Sequence, residues 1–259
     1  MKAIDLNGVA FSYGKGKPKI LDGIGLSCES GTVNALIGLN GCGKTTLIKV
    51  MAGLEVPFAG TVHYFGKSIF DMSFRERSSV LAYVSQNYRS LGDYLVKDYI
   101  LFGTANRMDA FDMPGQEERR AAEEVLERFG MSRLADRKLG ELSGGERQIV
   151  SICSAIVQDS NVVILDEPCS ALDIPNQTRV LSMLEGIAEN DGKTVLFSTH
   201  NPNHALYTGA NVFLMGSGTI IDSGLACEVV TPDRLKPVYG DGICLSRDQP
   251  FDEISFCHR

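Results

Sequence analysis

The sequence predicts an α/β fold built on a mainly parallel sheet with helices on both faces. Two observations carry that expectation. Buried-strand runs such as "TVNALIG" (Thr32 to Gly38), "NVVILDEP" (Asn161 to Pro168) and "TVLFSTH" (Thr194 to His200) alternate with stretches of helical pattern. Strands alternating with helices imply a parallel sheet. Each run also ends in a glycine loop or in polar residues, and ligands bind outside the carboxyl ends of such strands.

The elements follow in order. The first 28 residues read as short strands broken by the turn cluster "YGKGKPK" (Tyr13 to Lys19). Thr32 to Gly38 is a buried strand leading into a glycine loop, and Lys44 to Gly53 reads as helix. "SSVLAYVSQ" (Ser78 to Gln86) is a further strand candidate. Between Val96 and Asp136 the strand pattern fades. "GQEERRAAEEVLERFGM" (Gly115 to Met131) places Ala121, Val125, Leu126 and Phe129 at helical spacing among i,i+4 charge pairs, which reads as part of a mostly helical insert. Asn161 to Pro168 returns to a buried strand. A helix at Pro175 to Glu189, a strand at Thr194 to Ser198 and two strands joined at "GSG" (Gly216 to Gly218) follow. The carboxyl-end rule sets Gly38, Gln86, Asp166 and Ser198 along one rim. Arg247 to Arg259 carries no motif and reads as a surface tail.

Composition narrows the possibilities. A chain of 259 residues suits one large domain or a domain with a subdomain. The net charge of -7 argues against nonspecific nucleic-acid binding. No apolar run approaches the ~18 residues of a membrane span; the longest, "IVSICSAIV" (Ile149 to Val157), contains two serines. The N-terminus "MKAIDLNGVAFSYG" alternates like a strand and lacks the apolar core of a signal peptide. A cytosolic chain able to dock on a membrane partner is expected. The seven cysteines form no C-x-x-C pair, so no zinc or redox motif is expected and the thiols should be reduced.

"GLNGCGKT" fits G-x-x-x-x-G-K-[ST] from Gly38 to Thr45, between a buried strand and a helix. Backbone N–H groups of Gly41 to Thr46 are expected to turn inward on a β-phosphate. Lys44 would set its ammonium between the β- and γ-phosphates, and Thr45 would offer a hydroxyl to Mg²⁺. In "VVILDEP", Asp166 ends a strand on the same rim, where it can hold Mg²⁺ through water. Glu167 comes next, placed as a general base for water. His200 ends a third strand and is a candidate contact for the γ-phosphate and the attacking water. His200 and His204 lie four apart, but Pro202 separates them and no H-E-x-x-H glutamate is present, so no metal site is expected from that pair.

A second glycine motif, "LSGGERQ" (Leu142 to Gln148), stands before a long helical stretch. Its exposed N–H groups and the positive helix end suit an anion; Ser143 equally suits a plain N-cap. Packed helices lie ~8–10 Å apart, so two helix ends of one chain cannot both grip one γ-phosphate. A second copy related by a two-fold axis could bring its own Ser143 loop onto this chain's nucleotide.

Together these motifs resemble the ATP-binding subunits of ABC transporters, over nearly the whole chain. Tyr13 in "FSYG" matches the aromatic that stacks on adenine. Gly38, Asn40, Gly41, Cys42, Gly43, Lys44, Thr45 and Thr46 match the Walker A loop. Gln86 matches the glutamine that senses Mg²⁺ and the membrane partner. Ser143, Gly144 and Gly145 match the family signature, and Asp166 and Glu167 match Walker B. "SALD" (Ser170 to Asp173) matches the loop that crosses the dimer interface, and His200 the switch histidine. The resemblance implies a P-loop nucleoside-triphosphatase core, an N-terminal antiparallel β subdomain and a helical insert. It implies one ABC ATPase domain, with 1–86 and 161–259 as core and β subdomain and 87–160 as insert. It implies ATP and Mg²⁺ as cofactors, with Thr45, Gln86 and Asp166 at the metal and Glu167, His200 and Gln86 in catalysis. It further implies a head-to-tail dimer in which Ser143 and Gly145 contact the γ-phosphate in trans. Two copies would dock beneath polytopic permeases on the cytoplasmic face of the membrane, fed by an extracytoplasmic binding protein.

Two stretches resemble one branch. "STHNPNHA" (Ser198 to Ala205) and "VVTPDRLKPVYGDGICL" (Val229 to Leu245) are similar to import subunits for iron-siderophore, haem and cobalamin complexes, with molybdate or tungstate relatives. Asn201 stands where Asp is common. The 57 positions from Gln86 to Ser143 suit this branch and exclude a long coiled-coil insertion. A soluble ABC ATPase without a permease and an exporter subunit are the competing readings. Cys42 stands where Ser or Ala is common, at a helix N-terminus able to lower a thiol's pKa. Cys169 stands where Thr is common and reads as structural.

Overall fold

The computed structural model describes residues 1–86, 93–108, 113–241, 243–246 and 253–256. Strands β1 (Lys2–Phe11) and β2 (Leu21–Glu29) pair antiparallel across the Tyr13–Lys19 turn. β3 (Val33–Ile37) leads into helix α1 (Lys44–Met51). β4 (Ala59–Tyr64) and the short β5 (Lys67–Ser68) complete a four-stranded antiparallel sheet in the order β2-β1-β4-β5.

Helix α2 (Phe74–Val80) precedes β6 (Leu81–Val84). The strand expected from Ser78 therefore begins at Leu81, and Ser78 to Val80 are helical. The cause is local: the Ser73 hydroxyl accepts the Glu76 N–H and the Glu76 carboxylate accepts the Ser73 N–H, a capping box that nucleates the helix. The insert holds α3 (Val96–Leu101), α4 (Gln116–Arg128) and α5 (Gly144–Val157). In α4 the buried pair is Ala122 and Leu126, with Val125 and Phe129 partly buried beside them. The expected apolar stripe is thus turned by one residue, away from Ala121.

The chain then lays down β7 (Val162–Leu165), α6 (Ile174–Glu189), β8 (Thr194–Thr199), α7 (Asn203–Tyr207), β9 (Asn211–Gly216) and β10 (Thr219–Leu225). The central sheet runs β10-β9-β3-β8-β7-β6. Five of its strands are parallel, and β10 turns back antiparallel at the edge. Side chains alternate across it. Leu36, Ile164, Leu196 and Phe213 pack against α1 and the antiparallel sheet, while Ile37, Leu165, Phe197 and Leu214 pack against the insert helices and α6. One face is therefore covered largely by strands, not by helices alone as expected.

Helices α8 (Ala226–Val229) and α9 (Pro232–Tyr239) follow. β11 (Ile243–Ser246) and β12 (Glu253–Phe256) then pair antiparallel. The C-terminal segment read as a surface tail thus returns as a hairpin strand; 247–252 and 257–259 lie outside the described residues. Register brings the strand ends level: Ile37 sits opposite Thr199, Leu165 opposite Phe197, and Val84 opposite Leu165. The loops after β3, β8, β7 and β6 leave the sheet along one rim.

Candidate active site

The first loop is held open by glycine geometry. Gly43, the residue before α1, has φ +111° and an added Cβ would lie 2.9 Å from Met215 Cε, so only glycine fits. No side chain caps α1 and no acid lies in its first turn, leaving its first N–H groups for an anion. Lys44 is buried. Its Nζ donates to the carbonyls of Gly38 (2.8 Å) and Leu39 (3.2 Å). It also lies 3.2 Å from Glu167 Oε1, an ion pair outside hydrogen-bond alignment. Tyr13 is half exposed, packs edge-on against Phe11, and shares a 3.1 Å hydrogen bond with the Thr46 hydroxyl.

Thr45 Oγ1 donates to Asp166 Oδ1 at 3.2 Å, linking the loop to the end of β7. Asp166 is 2% exposed. Ser198 Oγ donates to the same carboxylate oxygen at 2.7 Å and accepts the Glu167 N–H at 2.8 Å. Ser198 thus sets both acids, whereas sequence reading placed it only on the rim; its signal was its position two residues before His200, at the end of β8. Glu167 Oε2 meets His200 Nδ1 at 3.0 Å. Lys44, Glu167 and His200 therefore form one chain of contacts. Gln86 lies two residues beyond β6, exposed on this rim; the loop that follows it, 87–92, lies outside the described residues.

His204 is not part of this chain. It is buried, with Nδ1 2.9 Å from Thr199 Oγ1 and Nε2 3.2 Å from Gln177 Oε1. Burial, helped by the neighbouring His200 and opposed by Glu167, holds its pKa down to about 4. Cys42 corrects an expectation: burial pushes its thiol up, and neighbouring Lys44 only partly opposes this. Burial also pushes Cys169 up to about 12, as suits a structural thiol.

Ser143 caps α5. Its hydroxyl accepts the Glu146 N–H at 3.2 Å, while Glu146 Oε2 accepts the Ser143 N–H at 3.1 Å. Ser143 and Gly144 are exposed; Gly145 is buried, and an added Cβ there would lie 2.8 Å from the Asn176 side chain at the start of α6. Asp173 caps α6 by accepting the Asn176 N–H at 3.1 Å. The first turns of α5 and α6 are therefore packed neighbours.

A glycine cradle whose threonine reaches an acid on the next-but-one strand defines a P-loop nucleoside triphosphatase. The similarity to known proteins is more specific. Residues 21–170 match the family described as ABC transporter, and the chain belongs to that family: it is an ATP-binding subunit and an ATPase. It is 34% identical to the iron(3+)-hydroxamate import ATP-binding protein FhuC of Bacillus subtilis (strain 168), over 87% of this chain and 84% of that protein. It is 30% identical to the molybdate import ATP-binding protein MolC of Haemophilus influenzae (strain ATCC 51907 / DSM 11121 / KW20 / Rd), over 92% and 88%. A metal-chelate type ABC transporter in an inward-facing conformation matches with a TM-score of 0.88 and 26% identity, covering 100% of this chain and 99% of that one. Among the described residues, no helix is long and apolar enough to cross a membrane.

Proposed function

We propose that this chain powers an importer for a metal complex such as an iron-siderophore, haem or cobalamin. Two copies would work head to tail beneath membrane permeases on the cytoplasmic face, served by an extracytoplasmic binding protein. The observation that carries the reading is the Lys44–Glu167–His200 chain on a rim whose second glycine loop, at Ser143, faces outward and bonds locally to Glu146. Such a loop is available to another copy's nucleotide. FhuC and MolC are import ATP-binding proteins, and this similarity and the match to a metal-chelate type transporter support import.

Each residue has a chemical task. The α1 N–H groups and Lys44 hold the phosphates. Gly38, Asn40, Gly41, Cys42, Gly43 and Thr46 shape that cradle, and Tyr13 offers its exposed ring to the base. The Thr45 hydroxyl and Asp166 carboxylate are hard oxygen donors already 3.2 Å apart, which fits Mg²⁺; Gln86 would complete that set. Mg²⁺ there supplies charge neutralisation to the phosphates. Glu167 takes the proton of the attacking water, and His200 orients the Glu167 carboxylate through its Nδ1. Tyr94 and Phe102 on the insert pack edge to face at 5.1 Å and stay half exposed, an aromatic surface suited to a permease.

The importer reading is tested by affinity purification of the tagged chain from detergent-solubilised membranes. A polytopic partner is expected at about one per ATPase copy, given symmetric assembly. Recovery of the chain solely in soluble form would favour the soluble ABC ATPase.

A further inference from the structure

A tyrosine far along the chain stands on the nucleotide rim. Helix α9 is pinned to the sheet by Leu235, which is fully buried, and by Val238, which packs beside Gly216 of β9. Its last residue, Tyr239, is half-buried and donates its hydroxyl to the backbone carbonyl of His200 at 3.1 Å. Burial, then the nearby Cys42 and Glu167, push its pKa well up. The group stays a hydrogen-bond donor. One side chain from the C-terminal helix thus bonds to the residue whose imidazole meets Glu167.

The geometry explains why such a tie matters. β8 ends at Thr199, so His200 has left the sheet. The turn beyond it is held by the Asn201 N–H on Thr199 Oγ1 and the Asn203 N–H on Asn201 Oδ1. Those bonds fix the following residues. The His200 carbonyl itself is held by Tyr239, across 39 positions of chain.

We propose that Tyr239 is a positioning residue for ATP hydrolysis: its hydroxyl fixes the His200 backbone so that the imidazole stays on Glu167. The inference rests on the roles given above to Glu167 and His200. It assigns the C-terminal helix a part in the reaction, not only in packing.

The test uses the full chain and compares steady-state with single-turnover ATP hydrolysis. Tyr239→Phe keeps the ring and removes only the hydroxyl; kcat is expected to fall about tenfold, the worth of one lost hydrogen bond. The KM for ATP should stay within about twofold, since the loss falls on the transition state. In a His200→Ala background, Tyr239→Phe should bring no further loss, because a residue acting through His200 has nothing left to position. Val238→Ala loosens the same helix without touching the hydroxyl and should leave kcat within about twofold. Unchanged kcat in Tyr239→Phe, an equal loss in Val238→Ala, or a full additional loss in the His200→Ala background would each overturn the proposal. If His200→Ala and Glu167→Gln turn over normally, the catalytic assignments fall and this inference with them. If they are slow while Tyr239→Phe is not, this inference alone falls.

Discussion

Glu167 has a left-handed backbone, φ +49°. For a residue with a Cβ that conformation costs on the order of 1–2 kcal/mol, and such strain persists where surrounding bonds over-determine it. Here the Glu167 N–H is held by Ser198 and its carbonyl accepts the Ser170 N–H at 3.0 Å. The strain aims the carboxylate at His200 and Lys44. Glu167→Gln keeps the shape and removes the basic oxygen. ATP binding should persist while kcat falls by about 10²–10⁴-fold, read by equilibrium titration and phosphate release; turnover near wild type would remove Glu167 as the base. The acids and Lys44 were legible from motif spacing. The Lys44–Glu167 ion pair and the two bonds of Ser198 were not, because they join residues more than 30 positions apart.

His204 ties three elements together. It sits on α7 and reaches Thr199 of β8 and Gln177 of α6. Thr199 Oγ1 also accepts the Asn201 N–H, and Asn201 Nδ2 stands 3.4 Å from His204 Nε2. Burial disfavours the charged ring. Its folded pKa of about 4 lies below the ordinary 6.5, so between those values the unfolded chain binds the extra proton. Stability from this tie is complete above about pH 6.5 and is lost as pH falls toward about 4, at up to ~1.4 kcal/mol per pH unit. His204→Gln should flatten the dependence of Tm on pH across that window; parallel curves for the two proteins would refute the tie. The same scale shows where pattern reading slipped. α2 displaced the start of β6 because a capping box outweighed β-propensity at Ser78 to Val80. α4 turned by one residue because the insert's neighbours, not its own periodicity, chose the buried face.

In the whole molecule, two glycine loops stand at the starts of α1 and α5, and a two-fold pair is the arrangement that would bring both to one nucleotide. Ser143→Arg should leave nucleotide binding to the protomer intact and abolish ATP-dependent dimerisation, measured by light scattering with ATP. Turnover per protomer should then cease to rise with protein concentration. Intact dimers would count against the trans role of Ser143. The chain's order of residues by itself determined the P-loop, the acids after β7, the signature cap and the parallel core. Each of these depends on neighbours within a few positions, through spacing, capping and strand periodicity. Only the tertiary structure decided that β3 lies between β8 and β9, that Ser198 sets two acids, and that Tyr239 reaches His200. Those outcomes depend on how distant segments pack and register, and no local preference encodes a contact between residues far apart in the chain.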